Sequence, residues 1–297
     1  MQVNKVLLGD NLPLLKNLPD ESVDLVYADP PFNTGDSWSG DSGGYMDIYK
    51  EYVPAPAGLE WMDLVFDAGS VPYCNYMAHR LVEIFRVLKP SGHFFLHCDW
   101  RESAHLQVVV NWIFGKGRFK NEIIWCYPKS PVVNPYADKI SCFSVAHNSI
   151  LWWEKSTLAP FNPQYNAYTP KQIRKFFHHR DSTGRRFRTR SGRGPSLGKQ
   201  RFYADEMPGI PLTDVWSLPI ASPSERVGYP TQKPMALLNR IIASGSREGD
   251  LVVDPFCGAG TTLISARNLK RRYLGMDINE EAVLLAKRRL GFGGCDV

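Results

Sequence analysis

Short apolar runs alternate with longer amphipathic segments along most of the chain. In the first half, apolar runs predict β-strands at 3–8, 23–27, 93–97, 122–126 and 150–153. Apolar residues at helical spacing from Met77 to Leu88 predict a helix before the third of these strands. After residue 229 the pattern predicts helices at 235–242, 261–269 and 280–290 and strands at 251–253 and 273–276. This alternation predicts an α/β fold with a mostly parallel sheet and helices on both faces.

Two segments interrupt this pattern. Residues 33–58 are rich in Gly, Ser, Asp and Pro, which predicts a mobile loop of the kind that often covers a site. Residues 156–220 lack clear periodicity and carry many basic residues. We therefore expect a discontinuous domain over 1–158 and 214–297, with an inserted module over 159–213.

Composition narrows the class of protein. The 297 residues are 43% hydrophobic and 22% charged, as in ordinary globular proteins. No run approaches the roughly 18 apolar residues of a membrane span, and the first residues do not resemble a secretion signal. We therefore expect a cytoplasmic protein. The six cysteines form no C-x-x-C pair, so neither a disulfide framework nor a metal site is expected.

Positive charge is concentrated in one segment. Residues 171–201 contain eleven Lys or Arg against Asp181, so this segment carries +10 and the remainder −5 of an overall +5. A charge run is more often only a solvated surface, but this density also suits a polyanion partner. The candidate contacts with such a partner are Arg185, Arg186, Arg188, Arg190 and Arg193.

A glycine-rich loop at 254–262 follows the predicted strand at 251–253. Its glycines, Gly258 and Gly260, allow a ligand to approach the backbone at a helix amino terminus. Leu263 stands where a dinucleotide fingerprint needs a third glycine, and the lysine of a phosphate-binding loop is missing. Asp277 lies 23 residues after Asp254, the spacing of an acid that binds ribose hydroxyls. The loop therefore predicts a nucleoside ligand without a pyrophosphate, against the alternative of a tight turn with a surface acid.

A second candidate site is Asp29-Pro30-Pro31-Phe32, directly after the predicted strand at 23–27. Two prolines exclude a helix, so nearby carbonyls lack helical partners and lie beside the Asp29 carboxylate. Such an acceptor-only site suits an exocyclic amine, and the Phe32 ring can stack on the base that carries the amine. The alternative is a proline turn that merely ends a strand.

Together these two motifs resemble the amino DNA methyltransferases. The chain matches the permuted arrangement, in which the catalytic motif comes first and the glycine loop last, and it also contains Gly9-Asp10-Asn11 and the segment 228–234. The resemblance implies a Rossmann-like methyltransferase fold, S-adenosyl-L-methionine as cofactor and double-stranded DNA as partner. It also makes a homodimer and a cognate restriction endonuclease plausible partners.

The resemblance assigns roles to individual residues. Catalysis would fall to Asp29, Pro30, Pro31 and Phe32. Cofactor binding would fall to Asp10, Asn11, Thr231, Lys233, Asp254, Phe256, Cys257, Gly258, Gly260, Thr261, Thr262 and Asp277. Within this set, Lys233 and Thr231 would lie near the cofactor carboxylate and Asp10 near its adenine amine.

The expected reaction is methylation of the N6 amine of a flipped adenine. Asp29 favours adenine by the resemblance, and N4 of cytosine is the alternative. Attack at a cytosine carbon would need a cysteine after a proline, and no cysteine of this sequence has that place. A catalytically silent DNA-binding subunit is the alternative from another class.

Overall fold

The structure is a computed structural model that describes residues 2–40, 43–47, 49–127, 143–191 and 199–292. It divides into a larger unit, Met1–Asn162 with Asp214–Val297, and a smaller unit, Pro163–Thr213. Within the described ranges, none of the helices combines the length and apolar character needed to cross a bilayer.

The larger unit is built on an eight-stranded sheet. Its strands are β1 (Lys5–Leu8), β2 (Val23–Ala28), β5 (Leu88–Cys98), β6 (Phe119–Cys126), β7 (His147–Glu154), β13 (Val215–Ser217), β14 (Leu251–Asp254) and β15 (Arg272–Asp277). They lie in the order β1-β15-β14-β2-β5-β7-β6-β13. Neighbours from β1 to β5 are parallel, as are β6 and β13, and only β7 runs against its neighbours.

Helices cover both faces of this sheet. They are α1 (Asn11–Lys16), α2 (Met62–Val65), α3 (Val71–Val87), α4 (Ser103–Phe114), α6 (Met235–Gly245), α7 (Thr261–Asn268) and α8 (Glu280–Arg289). Alternate residues of β14 point to opposite sides: Val253 joins the core under α3 and α4, and Val252 joins the core under α6 and α8. The predicted α/β class, with helices on both faces of a mostly parallel sheet, is confirmed.

Local chemistry sets several of these boundaries. The predicted helix at 77–88 ends one residue earlier, and Leu88 begins β5 instead, because Pro90 disfavours helical backbone at Lys89. Asn279 is the N-cap of helix α8, and its side chain accepts from the backbone N–H groups of Glu281 and Ala282. Helix α4 was not predicted, although its buried residues Leu106, Val109, Val110 and Phe114 do recur at helical spacing.

The segment predicted as a mobile loop, 33–58, contains a short antiparallel hairpin, β3 (Ser37–Gly40) with β4 (Gly43–Met46). Residues 41, 42 and 48 of that segment lie outside the described ranges.

The smaller unit contains regular structure that its sequence did not predict. Strands β9 (His179–Arg180), β10 (Arg186–Ser191) and β11 (Lys199–Tyr203) form an antiparallel sheet, and β8 (Tyr165–Asn166) pairs with β12 (Ile210–Pro211). Helix α5 (Pro170–Phe176) starts with a capping box between Thr169 and Gln172. Arginines occupy alternate positions of β10 and therefore share one face of the strand. This is the two-residue period of a strand, but it is hard to recognise in a segment so rich in basic residues.

Candidate active site

Five aspartates stand at the carboxyl ends of five parallel strands: Asp10 follows β1, Asp29 follows β2, Asp99 follows β5, and Asp254 and Asp277 end β14 and β15. Parallel strands present their carboxyl ends at one edge of a sheet, so these residues meet there. All five line one cavity of about 870 Å³. Asp99 was not among the predicted site residues, although its position after a strand was the same signal.

Most residues predicted for catalysis and cofactor binding line this cavity. They are Asp10, Asn11, Asp29, Pro30, Pro31, Phe32, Thr231, Lys233, Asp254, Phe256, Cys257, Gly258, Thr261, Thr262 and Asp277. The cavity wall also contains aromatic and amide side chains that the sequence did not predict, among them Trp100, Trp125, Tyr127 and Asn148.

The glycine loop is tied to the next strand through Asp277. The backbone N–H of Gly258 donates to Asp277 Oδ2 at 2.7 Å, and the N–H of Asn279 donates to Oδ1 at 2.9 Å. Gly258 has φ +48°, and a β-carbon there would lie 3.0 Å from the Tyr229 ring. A side chain at 258 would therefore crowd the segment 228–234 as well as the cavity.

Asp254 is a deeply buried acid at the base of this loop. Its side chain accepts from the Phe256 N–H at 3.0 Å. Burial raises the pKa of Asp254 to about 7, while hydrogen bonds from Thr262 and Phe256 act in the opposite direction. Burial also raises the pKa of Asp277. Both carboxylates are therefore costly to ionise without a partner, which favours a bound cation or donor.

Gly260 packs closely against helix α8, which is a structural reason for glycine beside the predicted contact with cofactor. It has φ +75°, and a β-carbon would lie 2.8 Å from the Ala286 β-carbon of α8. It is not among the described residues that line the cavity. Close packing of the loop on α8 therefore excludes a side chain at this position.

A buried arginine organises the Asp10 corner. Arg80, on α3, donates from Nη2 to Asp10 Oδ1 at 2.7 Å and from Nε to Asn11 Oδ1 at 2.6 Å. The Asn11 amide in turn donates to the Pro255 carbonyl at 2.6 Å, and the Arg80 guanidinium lies 3.4 Å from the Tyr76 ring centroid. Arg80 thus ties α3 to the start of α1, and Asn11 ties α1 to the glycine loop. The position of Arg80 in an amphipathic helix gave no sign of this role.

The Asp29 carboxylate has two close neighbours. Lys233 Nζ lies 2.6 Å from Oδ2, and His97 Nδ1 lies 3.8 Å from Oδ1. Burial raises the pKa of Asp29, and the Lys233 ammonium opposes that shift. The resemblance expected Lys233 near a cofactor carboxylate; the structure places it on the carboxylate of Asp29.

His97 is a buried residue that contacts both Asp29 and Phe32. Its Nδ1 is 2.8 Å from the Tyr27 hydroxyl, Asn148 Nδ2 donates to its Nε2 at 3.0 Å, and its ring centroid lies 5.7 Å from that of Phe32. Burial, and then the charge of Lys233, hold the pKa of His97 well below its usual value. A neutral ring that accepts at Nε2 carries its proton on Nδ1, facing Tyr27 and Asp29.

A buried acid anchors the segment that follows Phe32. Asp47 accepts from the Asn33 N–H at 2.7 Å and from the Thr34 hydroxyl at 2.9 Å. Asn33 has φ +57°, and its side-chain amide donates to Glu102 Oε1 at 2.8 Å. These contacts fix the direction in which the backbone leaves the Asp29 motif.

Three neighbouring side chains in the described part of the chain are of the kinds that bind metal ions in proteins. Cys74, Glu102 and His105 place one potential ligand atom each within 4.8 Å of the others. Burial raises the pKa of the Cys74 thiol, and Glu102 already accepts from Asn33, Ser70 and His105. This arrangement fits a hydrogen-bonded brace rather than a metal site.

The candidate DNA-binding arginines differ in their surroundings. Arg185 binds two acids, donating to Asp205 at 2.9 Å and to Glu206 at 2.7 Å. Arg186 donates to the Phe177 carbonyl at 3.2 Å. Arg188 and Arg190 are exposed, and Arg193 lies outside the described residues.

Fold and cavity together define an α/β protein in which the glycine loop and the Asp29-Pro30-Pro31-Phe32 motif line one cavity. The chain belongs to the N6/N4 DNA methylase family, whose model, described as DNA methylase, matches residues 23–288. This confirms the resemblance to the amino DNA methyltransferases.

Individual relatives agree. The chain is 28% identical to Type II methyltransferase M.HpaI of Haemophilus parainfluenzae, covering 98% of this chain and 76% of that protein. It is also 28% identical to DNA adenine methyltransferase YhdJ of Escherichia coli K12, with 97% and 83% covered. Among solved structures, TTHA0409 of Thermus thermophilus, complexed with S-adenosyl-L-methionine, shares the fold with a TM-score of 0.55, 20% identity and 98% and 94% coverage.

Proposed function

We propose that this protein transfers the methyl group of S-adenosyl-L-methionine to the N6 amine of an adenine rotated out of double-stranded DNA. The observation that carries the proposal is the single cavity that joins the glycine loop to Asp29 and Phe32. Direct transfer between two molecules requires that both be held in contact, and one continuous cavity does this. Asp29 and a relative named as an adenine methyltransferase support adenine.

The glycine-loop half of the cavity fits the cofactor. Asp277, held by two backbone N–H groups, retains lone pairs for the ribose hydroxyls. Ile278 is 75% exposed beside the cavity and offers an apolar surface for the adenine ring. Asp254 would bind the ammonium of the methionine part of the cofactor. The positive charge of that ammonium would stabilise the buried carboxylate of Asp254. When bound, the cofactor supplies a methyl group on a sulfonium.

The Asp29 half of the cavity would activate the target amine. The lone pair of an aromatic amine is delocalised into its ring, so the amine is a weak nucleophile. Asp29 and the Pro30 carbonyl would accept its two N–H bonds, localise the lone pair and stabilise the positive charge that develops on nitrogen. Asp29 or water then takes the released proton. Phe32, backed by His97, would stack on the extruded base.

The smaller unit would hold DNA. Opposite residues of an antiparallel pair share a face, so Arg180 and Arg186, with Arg188 and Arg190 along β10, lie on the same face of the three-stranded sheet. Several guanidinium groups on one face suit a row of phosphates. In this proposal residues 159–213 recognise the target, and 1–158 with 214–297 carry catalysis. A homodimer, a partner endonuclease and a cytoplasmic location stay predictions.

Analysis of the product tests this function. Purified protein, labelled S-adenosyl-L-methionine and mixed-sequence bacterial DNA are incubated, and the DNA is digested to nucleosides for mass spectrometry. We expect label in N6-methyladenine. Label in N4-methylcytosine would instead assign the same site to cytosine. Unlabelled DNA, with the cofactor shown to bind, would overturn the proposal.

A further inference from the structure

The ammonium of Lys233 occupies the place that the proposed function gives to the target amine. It lies 2.6 Å from Asp29 Oδ2 and 5.5 Å from the centroid of the Phe32 ring. It also donates to the Thr231 carbonyl at 3.3 Å. The side chains of Lys233 and Asp29 are only 12% and 15% exposed, so water screens this pair poorly.

This arrangement does not suit methyl transfer. The reaction begins with positive charge on sulfur and ends with positive charge on nitrogen, and the Asp29 carboxylate stabilises both. A lysine ammonium bound to that carboxylate neutralises it and repels the same two charges. Lys233 must therefore leave Asp29 before the reaction.

The segment that carries Lys233 lies against the glycine loop. Tyr229, four residues earlier, would be 3.0 Å from a β-carbon at Gly258, and both Thr231 and Lys233 line the cavity. The Lys233 side chain is a long flexible stem at the boundary between the two halves of the site. A carboxylate that enters the glycine-loop half offers this ammonium a second anion.

We propose that Lys233 is a positioning residue with two alternative partners, a switch that couples cofactor binding to the release of Asp29. In the protein without cofactor it pairs with Asp29 and blocks the amine site. When the cofactor binds, the ammonium moves to the carboxylate of its methionine part, and Asp29 becomes free to accept from the target amine. This inference rests on the proposed function.

Calorimetric binding without DNA tests the switch. The probes are S-adenosylhomocysteine, which has the carboxylate but not the sulfonium, and methylthioadenosine, which lacks the whole amino-acid part. We expect Asp29→Asn to tighten S-adenosylhomocysteine binding about tenfold, because Lys233 no longer gives up a charged partner. Methylthioadenosine binding should not change.

The decisive comparison is a double-mutant cycle with Lys233→Met. Lys233→Met alone should weaken S-adenosylhomocysteine binding, and adding Asp29→Asn should then produce no tightening. Lys233→Gln serves as a second neutral variant if the methionine variant does not fold. The surface pair Lys270 and Glu248, 75% and 64% exposed, provides the matched control: Lys270→Met with Glu248→Gln should leave binding of both probes unchanged.

The outcomes separate this inference from the proposed function. If the unaltered protein binds neither probe, the nucleoside site itself is misassigned. If it binds both, but Asp29→Asn has the same effect with and without Lys233, the switch is overturned and the proposed function stands. Tightening that depends on Lys233 supports the switch.

Discussion

Charged side chains are placed in opposite ways in the two units. At the carboxyl edge of the large sheet, Asp99 and Asp254 are buried and Asp29 and Asp277 are partly buried. On β10 of the smaller unit, Arg188 and Arg190 are exposed. A buried carboxylate selects its ligand, because it is stable in the ionised form only beside a cation or a hydrogen-bond donor in the right place. Exposed arginines attract any polyanion, and salt screens that attraction. The first arrangement suits a defined small ligand and the second suits a DNA backbone.

The largest expected effect concerns the aspartates at the carboxyl edge of the large sheet. Asp29→Ala removes a preorganised acceptor and should lower the rate of methyl transfer about 10²-fold or more, while the cofactor still binds. Transfer of labelled methyl groups to DNA measures the rate, and circular dichroism checks the fold. Asp20→Ala, at a carboxylate that is 74% exposed, is the control and should keep its rate. Normal turnover of a folded Asp29→Ala protein would refute the role of Asp29.

Within the larger unit, two glycines with positive φ allow the stability cost of lost packing to be measured apart from the cost of backbone strain. Gly260 and Gly249 have φ +75° and +83°, but a β-carbon meets Ala286 only at Gly260. Gly249→Ala should cost about 1 kcal/mol of unfolding free energy, and Gly260→Ala about 1–3 kcal/mol more. Urea denaturation measures both. Equal losses would show that α8 yields easily and that packing does not explain Gly260.

On the exposed side, salt dependence distinguishes free from paired arginines. Replacing Arg188 and Arg190 by Gln should flatten the slope of log affinity against log salt by roughly 2, since each phosphate contact contributes about 0.9. Arg185→Gln should change the slope much less, because Asp205 and Glu206 already hold that guanidinium. DNA binding at several salt concentrations measures the slopes, with cofactor affinity unchanged throughout. An unaltered slope in the double variant would mean that this face is only solvated.

The smallest effect concerns the pH dependence of Asp254. With a pKa of about 7, its carboxylate is mostly protonated at pH 6 and mostly ionised at pH 8. Affinity for S-adenosylhomocysteine should therefore rise about three- to tenfold over that range, and Asp254→Asn should abolish the rise. Stability has the opposite sign: because the folded pKa is raised, the contribution of Asp254 is largest below pH 4 and is lost as the pH rises through 7. An equal rise in the Asn variant would assign the dependence to another group.

The local apolar pattern predicted most strands of the large sheet and most of the longer helices of the larger unit, although not α4 or β13, and it predicted none of the strands of the smaller unit. Strands such as β2 and β14 are buried on both faces and appear in sequence as short apolar runs. In β10, by contrast, arginine alternates with Phe187 and Thr189, so the two-residue period is present but one of its faces is charged rather than apolar. A search for apolar periodicity misses such a strand.

The sequence alone determined the α/β class, the glycine loop and the Asp29 motif, because these depend on the order of residues within one strand, turn or helix. Tertiary structure decided which distant groups meet. It placed Lys233 on Asp29, His97 below Phe32, Arg80 between Asp10 and Asn11, and Ala286 against Gly260. The physical reason is that sheet order brings strand ends together irrespective of their separation in the chain, and periodicity carries no information about that order. The resemblance placed Lys233 near a cofactor carboxylate; only the fold gives it the carboxylate of Asp29 as its partner.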